Sequence, residues 1–394
     1  MQGPLTGITV IDCSRAVAGP YTGMLLGDLG ANVIKIEAPG DGDEGRGMTP
    51  TYGTDSCYFL LSNRNKRSIT LDLKSPEGQR ILQRLLVDAD VFIENFKPQT
   101  AARLGVTYEA FRDKHPRLIH CSITGFGPTG PMSDRPAMDA MMQAYTGVMS
   151  VTGEPGRAPV RMGVAVSDLG AALHAAYGIL AAVVARVSTG RGQKVETSLL
   201  ESTIALSAYQ NTSYWGTGKP PERLGSAHAA MAPLQVFEVA DGYMLIMAGT
   251  QKQWLSLCEV LSLDELSSDP RFTTNALRVQ HRDALHLLIG GMLLRHSRAE
   301  WLALFAGRDI QYSLVNNTAE ALDEPQVLHQ GMVIERPHPT LGTMKFTGFP
   351  VKLSDTPAGF RLDPPALGQH TEEILREIGC DTAEIAHLRE SRAI

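Results

Sequence analysis

Asp168 is the residue in this chain whose type and position could support covalent chemistry. It lies in residues 161–180, RMGVAVSDLGAALHAAYGIL, where a short apolar run is followed at once by a long, alanine-rich helical pattern. At the carboxyl end of a strand and the N-terminus of a helix, oriented N–H groups and the helix dipole would stabilise negative charge that develops during acyl transfer. The Asp168 carboxylate is then a candidate nucleophile.

The same position has an ordinary structural explanation, which is the commoner one for an isolated sequence. An Asp that precedes a helix caps it by accepting the free amide hydrogens of the first turn. The small neighbours Ser167, Gly170, Ala171 and Ala172 favour the catalytic interpretation, because they leave room for a ligand. No nucleotide-triphosphate loop, metal-ligand motif or Gly-x-Ser-x-Gly elbow elsewhere in the sequence offers a competing site.

Length and charge define the class of protein. With 394 residues, 43% of them hydrophobic, the chain can form about two to three domains with sizeable cores. The net charge is −6 and the Lys and Arg residues are scattered. This composition excludes the basic surface of a nucleic-acid-binding protein and the basic helix of a membrane-surface protein.

The cysteines and the termini indicate a compartment. Five cysteines without any C-x-x-C pair argue against a disulfide framework and against zinc, so we expect a protein of the reducing cytoplasm. The N-terminus lacks a basic segment that leads into an apolar one, and we expect no apolar run long enough to span a membrane.

Strand-like and helical segments alternate through the first half of the chain, which predicts an α/β fold with a mostly parallel sheet covered by helices. The first strand–helix–strand unit starts at residue 8 and ends at Glu37. Its loop, SRAVAGP, lacks the spaced glycines of a dinucleotide-binding turn, so we do not expect NAD or FAD. In such sheets, ligands bind beyond the carboxyl ends of the strands.

Cations, one amide and one aromatic side chain recur at these predicted strand ends. They are, in chain order, Arg15, Lys74, Asn95, Phe96, Lys97 and Arg103. Several cations beside an aromatic ring suit a phosphorylated nucleotide whose base can stack. Each cation alone is more often a solvated surface charge, and only their shared position favours a binding site. The Gly/Pro/Asp-rich segment at residues 39–56 is either a lid over that site or a mobile surface loop.

A change of composition indicates a second domain. Residues 214–224 concentrate Gly and Pro as a linker would, so we expect a large domain over residues 1–213 and a smaller α+β domain over 225–330. Residues 331–394 are expected to return to the large domain. His228, near the junction, is a second candidate for the cleft, although a lone His is more often a hydrogen-bonded structural residue.

Seven ordered motifs give the chain a specific resemblance to a known family. They are PLTGITVIDCSRAVAGPYTGMLLGDLGANVIKIEAPGDGDEGR, NRNKRSITLDLKSPEG, ENFKPQTAARLG, SITGFGPTGP, GVAVSDLGAALHAAYGILAAV, TGRGQKVETSLLES and PPALGQHTEEIL. With these motifs the sequence resembles the class III CoA-transferases, the formyl-CoA and carnitine CoA-transferase (CaiB/BaiF) family. The resemblance runs nearly from end to end and is weakest between about residues 255 and 345.

The resemblance implies a two-domain α/β protein, whose large domain is Rossmann-like and formed by both chain ends, and a homodimer of two interlocked chains. It places the family nucleophile at Asp168. Positions that contact coenzyme A in the family correspond to Arg15, Val17, Ala18, Leu71, Asp72, Leu73, Lys74, Asn95, Phe96, Lys97, Arg103, Met138 and Asp139. An arginine that some members carry is Ala38 here, so a phosphate contact moves to Arg46 or is missing. Tyr58 and His228 are the candidates for the substrate side.

The reaction that the resemblance implies moves coenzyme A from an acyl-CoA to a free carboxylic acid. We expect succinyl-CoA as donor and a small dicarboxylate such as itaconate, malate, mesaconate or glutarate as acceptor. Asp168 would carry first an acyl group as an anhydride and then coenzyme A as a thioester. Coenzyme A thioester is therefore a substrate, and we expect neither a prosthetic group nor a metal. Closure of residues 39–56, or of a loop near His228, would exclude water.

Two alternatives stay open at this point. The family also contains 2-methylacyl-CoA racemases and epimerases, which work by proton transfer. In their pattern a His precedes the Asp of the segment RPAMDAMMQ, and Met138 stands there instead, which disfavours an isomerase. If Asp168 were only a helix cap, the chain would be a CoA-binding protein without catalytic activity.

Overall fold

The computed structural model describes residues 3–338 and 342–394. Its strands are β1 (Thr9–Asp12), β2 (Asn32–Glu37), β3 (Thr51–Tyr52), β4 (Asp55–Ser56), β5 (Lys66–Thr70), β6 (Val91–Glu94), β7 (Ile119–Thr124), β8 (Lys194–Ser198), β9 (Leu234–Val239), β10 (Gly242–Met247), β11 (Gln311–Leu314), β12 (Val333–His338) and β13 (Gly342–Thr347). Its α-helices are α1 (Ala18–Asp28), α2 (Cys57–Leu60), α3 (Pro76–Leu86), α4 (Pro98–Arg103), α5 (Tyr108–Phe111), α6 (Asp139–Tyr145), α7 (Val166–Thr189), α8 (Leu199–Leu206), α9 (Ala208–Thr217), α10 (Gln251–Val260), α11 (Asn275–Gln280), α12 (Arg282–Leu293), α13 (Arg298–Phe305), α14 (Thr318–Asp323), α15 (Pro325–His329), α16 (Thr371–Glu377) and α17 (Thr382–Glu390).

The chain divides into two units. The larger unit comprises Met1–Val148, Met162–Thr217 and His329–Ile394, and the smaller unit comprises Met149–Arg161 and Gly218–Leu328. Both chain ends therefore belong to the larger unit. Residues 149–161, which the sequence analysis leaves in the large domain, belong to the smaller one, and α9 continues as helix through the first part of the expected linker.

A six-stranded parallel sheet forms the centre of the larger unit. Its strand order is β5–β2–β1–β6–β7–β8, and every neighbouring pair is parallel. If the strands of this sheet are numbered along the chain, their order is 3-2-1-4-5-6, which is the order of doubly wound sheets. In such sheets the chain adds strands first to one side of strand 1 and then, from strand 4 onwards, to its other side. The predicted α/β class with a mostly parallel sheet is confirmed. Ligand sites are expected where β1 and β6 end.

Both faces of this sheet are buried, because successive strand residues point to opposite sides. On one side, Ile11 of β1 packs in a cluster with residues of α3, α16 and α17. On the other side, its neighbour Val10 packs in a cluster with residues of α1 and α7. The two C-terminal helices thus complete one of the two cores of the larger unit.

The smaller unit has its own core. Its three-stranded sheet has the order β11–β10–β9, and β9 and β10 form the antiparallel hairpin that the Asp-Gly turn predicts. Buried aromatic side chains from α10, β9 and α13, which include Trp254, Phe237 and Trp301, fill the space between this sheet and its helices. The unit is α+β, because helices cover an antiparallel sheet.

Helix α7 contradicts one expectation from the sequence. With 24 residues and a mean hydropathy of 1.6 over its most apolar window, it is long and apolar enough to cross a membrane, whereas no such run was expected. Composition alone does not separate a membrane span from the core helix of a sheet protein. Here 39% of the window is buried, and the buried side includes Ala171, Ala175 and Ile179, which pack on the parallel sheet.

A network of buried charges lies under the carboxyl edge of the sheet. Lys66 is fully buried and its Nζ donates to Asp12 Oδ2, to the Pro20 carbonyl and to Asn63 Oδ1, each at 2.8 Å. Burial lowers the pKa of Lys66 to about 8, although the Asp12 carboxylate counteracts this effect. The ammonium group therefore depends on these three acceptors for its charge.

We expect Lys66→Met, which keeps the length of the side chain and removes its charge, to destabilise the protein by about 3–5 kcal/mol. The reason is that Asp12 then stays buried without the ammonium group of Lys66. Urea unfolding followed by circular dichroism measures this change in the free energy of unfolding. Lys252→Met is the control, since Lys252 is 84% exposed in its ion pair with Asp309. A Lys66 variant as stable as the control would contradict the role of the network.

Candidate active site

Asp168 lies inside the first turn of α7 and not in front of the helix. The N-cap residue is Ala165, which has no side-chain acceptor, and no side chain at this end makes a local capping bond. Among the residues that the structure describes, the Asp168 carboxylate has no hydrogen-bond donor. The interpretation of Asp168 as a helix cap is therefore wrong.

The surroundings of Asp168 oppose its ionisation. Burial raises the pKa of Asp168, and the negative charge of Asp139 raises it further, so that the pKa reaches about 7. A carboxyl group that is half protonated near neutral pH, and that no cation holds, is characteristic of functional sites and not of structural ion pairs.

The small residues around Asp168 serve helix packing. Ser167, Gly170, Ala171 and Ala172 are all buried in α7. A Cβ atom at Gly170 would lie 2.6 Å from Leu206 Cδ1 of α8, so a larger side chain would push the two helices apart. At Gly170, the small residue thus lets α8 approach α7.

A separate cavity of about 220 Å³ lies where β1, β2, β5 and β6 end. Seven of the residues expected to contact coenzyme A line it, namely Arg15, Leu71, Asp72, Leu73, Lys74, Phe96 and Arg103. The Arg15 guanidinium carbon lies 5.4 Å from the centroid of the Phe96 ring. The structure thus brings three cations and an aromatic ring to one place, as the strand-end argument predicts. Ala38 also lines the cavity.

Asn95 fixes the backbone that carries Arg15. Its Oδ1 accepts the Arg15 N–H at 2.8 Å and its Nδ2 donates to the Arg15 carbonyl at 2.8 Å. The side chain of Asn95 therefore acts on the loop after β1. The remaining residues of this group lie at helix starts: Val17 is the N-cap of α1, Ala18 is its first residue, and Lys97 is the N-cap of α4.

Arg46 is already paired in this structure. Its Nε and Nη2 donate to the two carboxylate oxygens of Glu37, each at 2.7 Å, and its guanidinium lies 3.6 Å from the centroid of the Phe59 ring. A phosphate contact from Arg46, in place of the arginine absent at residue 38, would require this ion pair to break. Arg15, Lys74 and Arg103 are the cations at the cavity itself.

Three further predicted residues lie at other places. Tyr58 is exposed on α2, and Met138 is 69% exposed at the N-cap of α6. His228 belongs to the smaller unit, where it forms an isolated β-bridge with Met231. The Asp139 carboxylate is buried and accepts the Ser167 N–H.

Two residues that no sequence motif indicates, Asp43 and Lys35, hold the loop after β1. Asp43 Oδ1 accepts the N–H groups of Ala16 and Gly45, both at 2.9 Å, and Asp43 Oδ2 lies 2.7 Å from Lys35 Nζ. Burial raises the pKa of Asp43, but Lys35 and these N–H groups outweigh burial and hold the pKa below its usual range. In the sequence, Asp43 stands out only as an acidic residue within the Gly-rich segment at residues 39–56. In the structure, its hydrogen bond to the Ala16 N–H links that segment to the loop after β1.

Comparison with known proteins identifies the family. The family model described as CoA-transferase family III matches residues 5–371. This chain belongs to CoA-transferase family III. It is 42% identical to the succinyl-CoA:glutarate CoA-transferase of Mus musculus over 95% of this chain and 86% of that one. It is 36% identical to the succinate–glutarate CoA-transferase of Agrobacterium fabrum over 95% and 96% of the two chains.

A solved structure supports the same assignment. A CaiB/BaiF family protein from Brucella suis superposes with a TM-score of 0.88 at 37% identity, and the match covers 96% of this chain and 100% of that one. The resemblance that the sequence motifs indicate is thereby confirmed, and the parallel sheet is the fold of a family III CoA-transferase.

In this CoA-transferase, we expect Asn95→Ala to loosen the loop after β1 without unfolding the protein. Loss of two hydrogen bonds at about 1 kcal/mol each should speed amide exchange of residues 14–18 at least about tenfold. Hydrogen–deuterium exchange with mass spectrometry measures this rate. Asn211→Ala, which removes an exposed bond to the Ile204 carbonyl, is the control and should leave residues 14–18 unchanged. Unchanged exchange in both variants would show that Asn95 does not hold the loop.

Proposed function

We propose that this protein transfers coenzyme A from succinyl-CoA to a small dicarboxylic acid through covalent intermediates on Asp168. The observation that carries the proposal is the Asp168 carboxylate, which has a raised pKa and makes no capping bond at the start of α7. Membership of CoA-transferase family III supports the reaction class. Two relatives are named for exchange between succinate or succinyl-CoA and glutarate, so glutarate is the first acceptor to test.

Each proposed step exchanges one anion for another. A carboxylate oxygen of Asp168 attacks the thioester carbonyl carbon, the carbon–sulfur bond breaks, and CoA thiolate leaves behind a mixed anhydride. The thiolate then attacks the Asp168 carbonyl of the anhydride and releases succinate, which forms an aspartyl-CoA thioester. The acceptor carboxylate reverses these two steps. Every step is an acyl transfer between anions without a change of oxidation state, so we expect neither a metal nor a prosthetic group.

The cavity at the strand ends is the proposed site for the nucleotide end of coenzyme A. Arg15, Lys74 and Arg103 would meet its phosphates, and Phe96 would lie against its base. The thioester end would then have to reach Asp168 at the start of α7, within the same Rossmann-like larger unit. Five free cysteines, four of them buried, suit a location in the reducing cytoplasm.

We expect Asp168→Asn to fold normally and to lose at least about a thousandfold in kcat, because an amide is not a nucleophile of this kind. The assay is transfer from succinyl-CoA to glutarate, with mesaconate, itaconate and malate compared as acceptors. Asp88→Asn is the control, since Asp88 is an exposed Asp after α3 and should retain activity.

Trapping the intermediate locates the nucleophile directly. After incubation with succinyl-CoA, hydroxylamine should convert Asp168 to a hydroxamate and borohydride should reduce it, and peptide mass spectrometry should place either change at residue 168. Modification of a different carboxylate, or an active Asp168→Asn variant, would refute the assignment.

We also infer that the protein is a homodimer. Helix α7 has a second apolar stripe opposite its buried one, at Leu173, Tyr177, Val184 and Val187, which are 56% to 87% exposed. The spacing of these residues places them along one helix face. Exposed Trp215 and Tyr209 on α9 add to this surface, which a soluble chain would be expected to cover with a second copy.

Light scattering after gel filtration should therefore give twice the chain mass of 42.6 kDa. The double variant Tyr177→Glu, Val184→Glu should shift the protein towards the monomer, because it would bury two charges in the interface. The control is Val87→Glu, at an equally exposed residue after α3. A wild-type monomer, or a dimer that the double variant leaves intact, would exclude this surface as the interface.

A further inference from the structure

We propose that Asp139 and Gln143 of α6 are positioning residues for Asp168: they hold the backbone of residues 162–167 in place, and the fixed charge of Asp139 opposes the charge on Asp168. This inference rests on the proposed role of Asp168 and extends it to residues that do not react themselves. It also assigns to the Asp139 side chain a role other than contact with coenzyme A.

The N-terminus of α7 is capped by Asp139, a side chain from another helix. Because the N-cap residue of α7 is Ala165, nothing local accepts the N–H of Ser167, which is fully buried. Asp139 Oδ1, from a helix 28 residues earlier in the chain, accepts this N–H at 2.8 Å. A buried N–H without an acceptor costs about 1–3 kcal/mol, so this bond fixes where α7 begins.

The amide of Gln143 is also fully buried. Its Nε2 donates to Asp139 Oδ2 at 2.7 Å and approaches the Val164 carbonyl at 3.4 Å. Its Oε1 accepts the Met162 N–H at 2.8 Å. Asp139 and Gln143 are four residues apart on one face of α6, so together they bind three backbone groups of the segment that leads to Asp168.

The charge of Asp139 has no cationic partner among the residues that the structure describes, since its two oxygens accept from a backbone amide and a neutral side chain. Its negative charge opposes ionisation of Asp168. Burial and Asp139 together raise the pKa of Asp168. No other titratable side chain on α7, or on the elements packed against it, contributes to this rise of the pKa. These side chains are Tyr21, Asp28, His120, Cys121, Tyr145, His174, Tyr177, Arg186, Lys194, Glu196 and Glu201.

The repulsion changes during the proposed reaction. In the free enzyme both carboxylates are charged when Asp168 is ready to attack. In the anhydride and in the aspartyl-CoA thioester, Asp168 is an uncharged acyl group, and the negative charge has moved to the CoA thiolate or to the released succinate, so the repulsion between Asp168 and Asp139 disappears. Asp139 thus raises the free energy of the free enzyme relative to both covalent intermediates, and favours the attack that forms the first one.

The experiment is a pH titration of Asp168 that does not depend on turnover. With aspartate labelled by ¹³C at the side-chain carboxyl, the signal of residue 168 is the one missing from spectra of Asp168→Asn. In the wild-type protein we expect its midpoint near pH 7, as the raised pKa implies. In Asp139→Asn, which keeps an oxygen for the Ser167 N–H and loses the charge, we expect the midpoint to fall by about one unit.

Gln143→Leu is the matched control. It removes the bonds to Met162 and Asp139 but leaves the charge of Asp139, so the midpoint of Asp168 should not fall, while kcat should drop because residues 162–167 lose their support. A role in structure alone predicts loss of kcat in both variants and no fall of the midpoint in either. A midpoint in Asp139→Asn equal to that of the wild type therefore overturns the proposal.

A wild-type midpoint near that of an ordinary Asp, about pH 4, overturns it as well, and this measurement stands even if Asp139→Asn does not fold. Failure of the proposed function gives a different result. In that case the trapped adduct would be absent from Asp168 whatever the midpoint, whereas failure of this inference leaves the adduct on Asp168 and changes only the titration.

Discussion

The pairing of buried charges at the carboxyl edge of the parallel sheet determines the geometry of the loops that form the site. Lys66 bonds to Asp12 at the end of β1, and Lys35 bonds to Asp43 and to the Ser14 carbonyl. Removing these charges from water costs several kcal/mol per ion, which mutual attraction offsets only when each charge is well paired. Despite burial, Lys66 and Lys35 hold the pKa of Asp12 below its usual range, so this condition is met.

This pairing has a direct consequence for the backbone. The loop after β1 turns through Ala16, whose φ of +62° is unfavourable for a residue with a Cβ atom. Asp43 Oδ1 accepts the Ala16 N–H, and Asn95 accepts from and donates to the backbone of the preceding residue, Arg15. The strained turn persists because side chains from two other loops hold it. The direction of Arg15 towards the cavity therefore depends on charges buried beneath the sheet edge.

The sequence predicts the strands and helices of this arrangement better than it predicts which side chains bond to one another. Alternating apolar strands and amphipathic helices are local patterns, as is the Asp-Gly turn, so they predict the parallel sheet and the hairpin of β9 and β10. The bonds that hold the loop after β1 join residues as far as 80 positions apart, such as Arg15 and Asn95. No local pattern carries such a pairing. The family resemblance marks Asn95 and Asp139 as important and leaves open what their side chains bond to.

Asp168 illustrates how tertiary context reverses a local rule. An acidic residue in the first turn of a helix is normally stabilised by the helix dipole, by about 0.3–1 kcal/mol, which would lower its pKa. Here the pKa rises from 3.8 to about 7, which corresponds to a net effect on the order of 4 kcal/mol in the opposite direction. Desolvation and the charge of Asp139 therefore outweigh the dipole. Since Asp139 also accepts the Ser167 N–H, one side chain both caps the helix and opposes ionisation of Asp168. A carboxylate in that position gains more from becoming an uncharged acyl group than an ordinary surface Asp would.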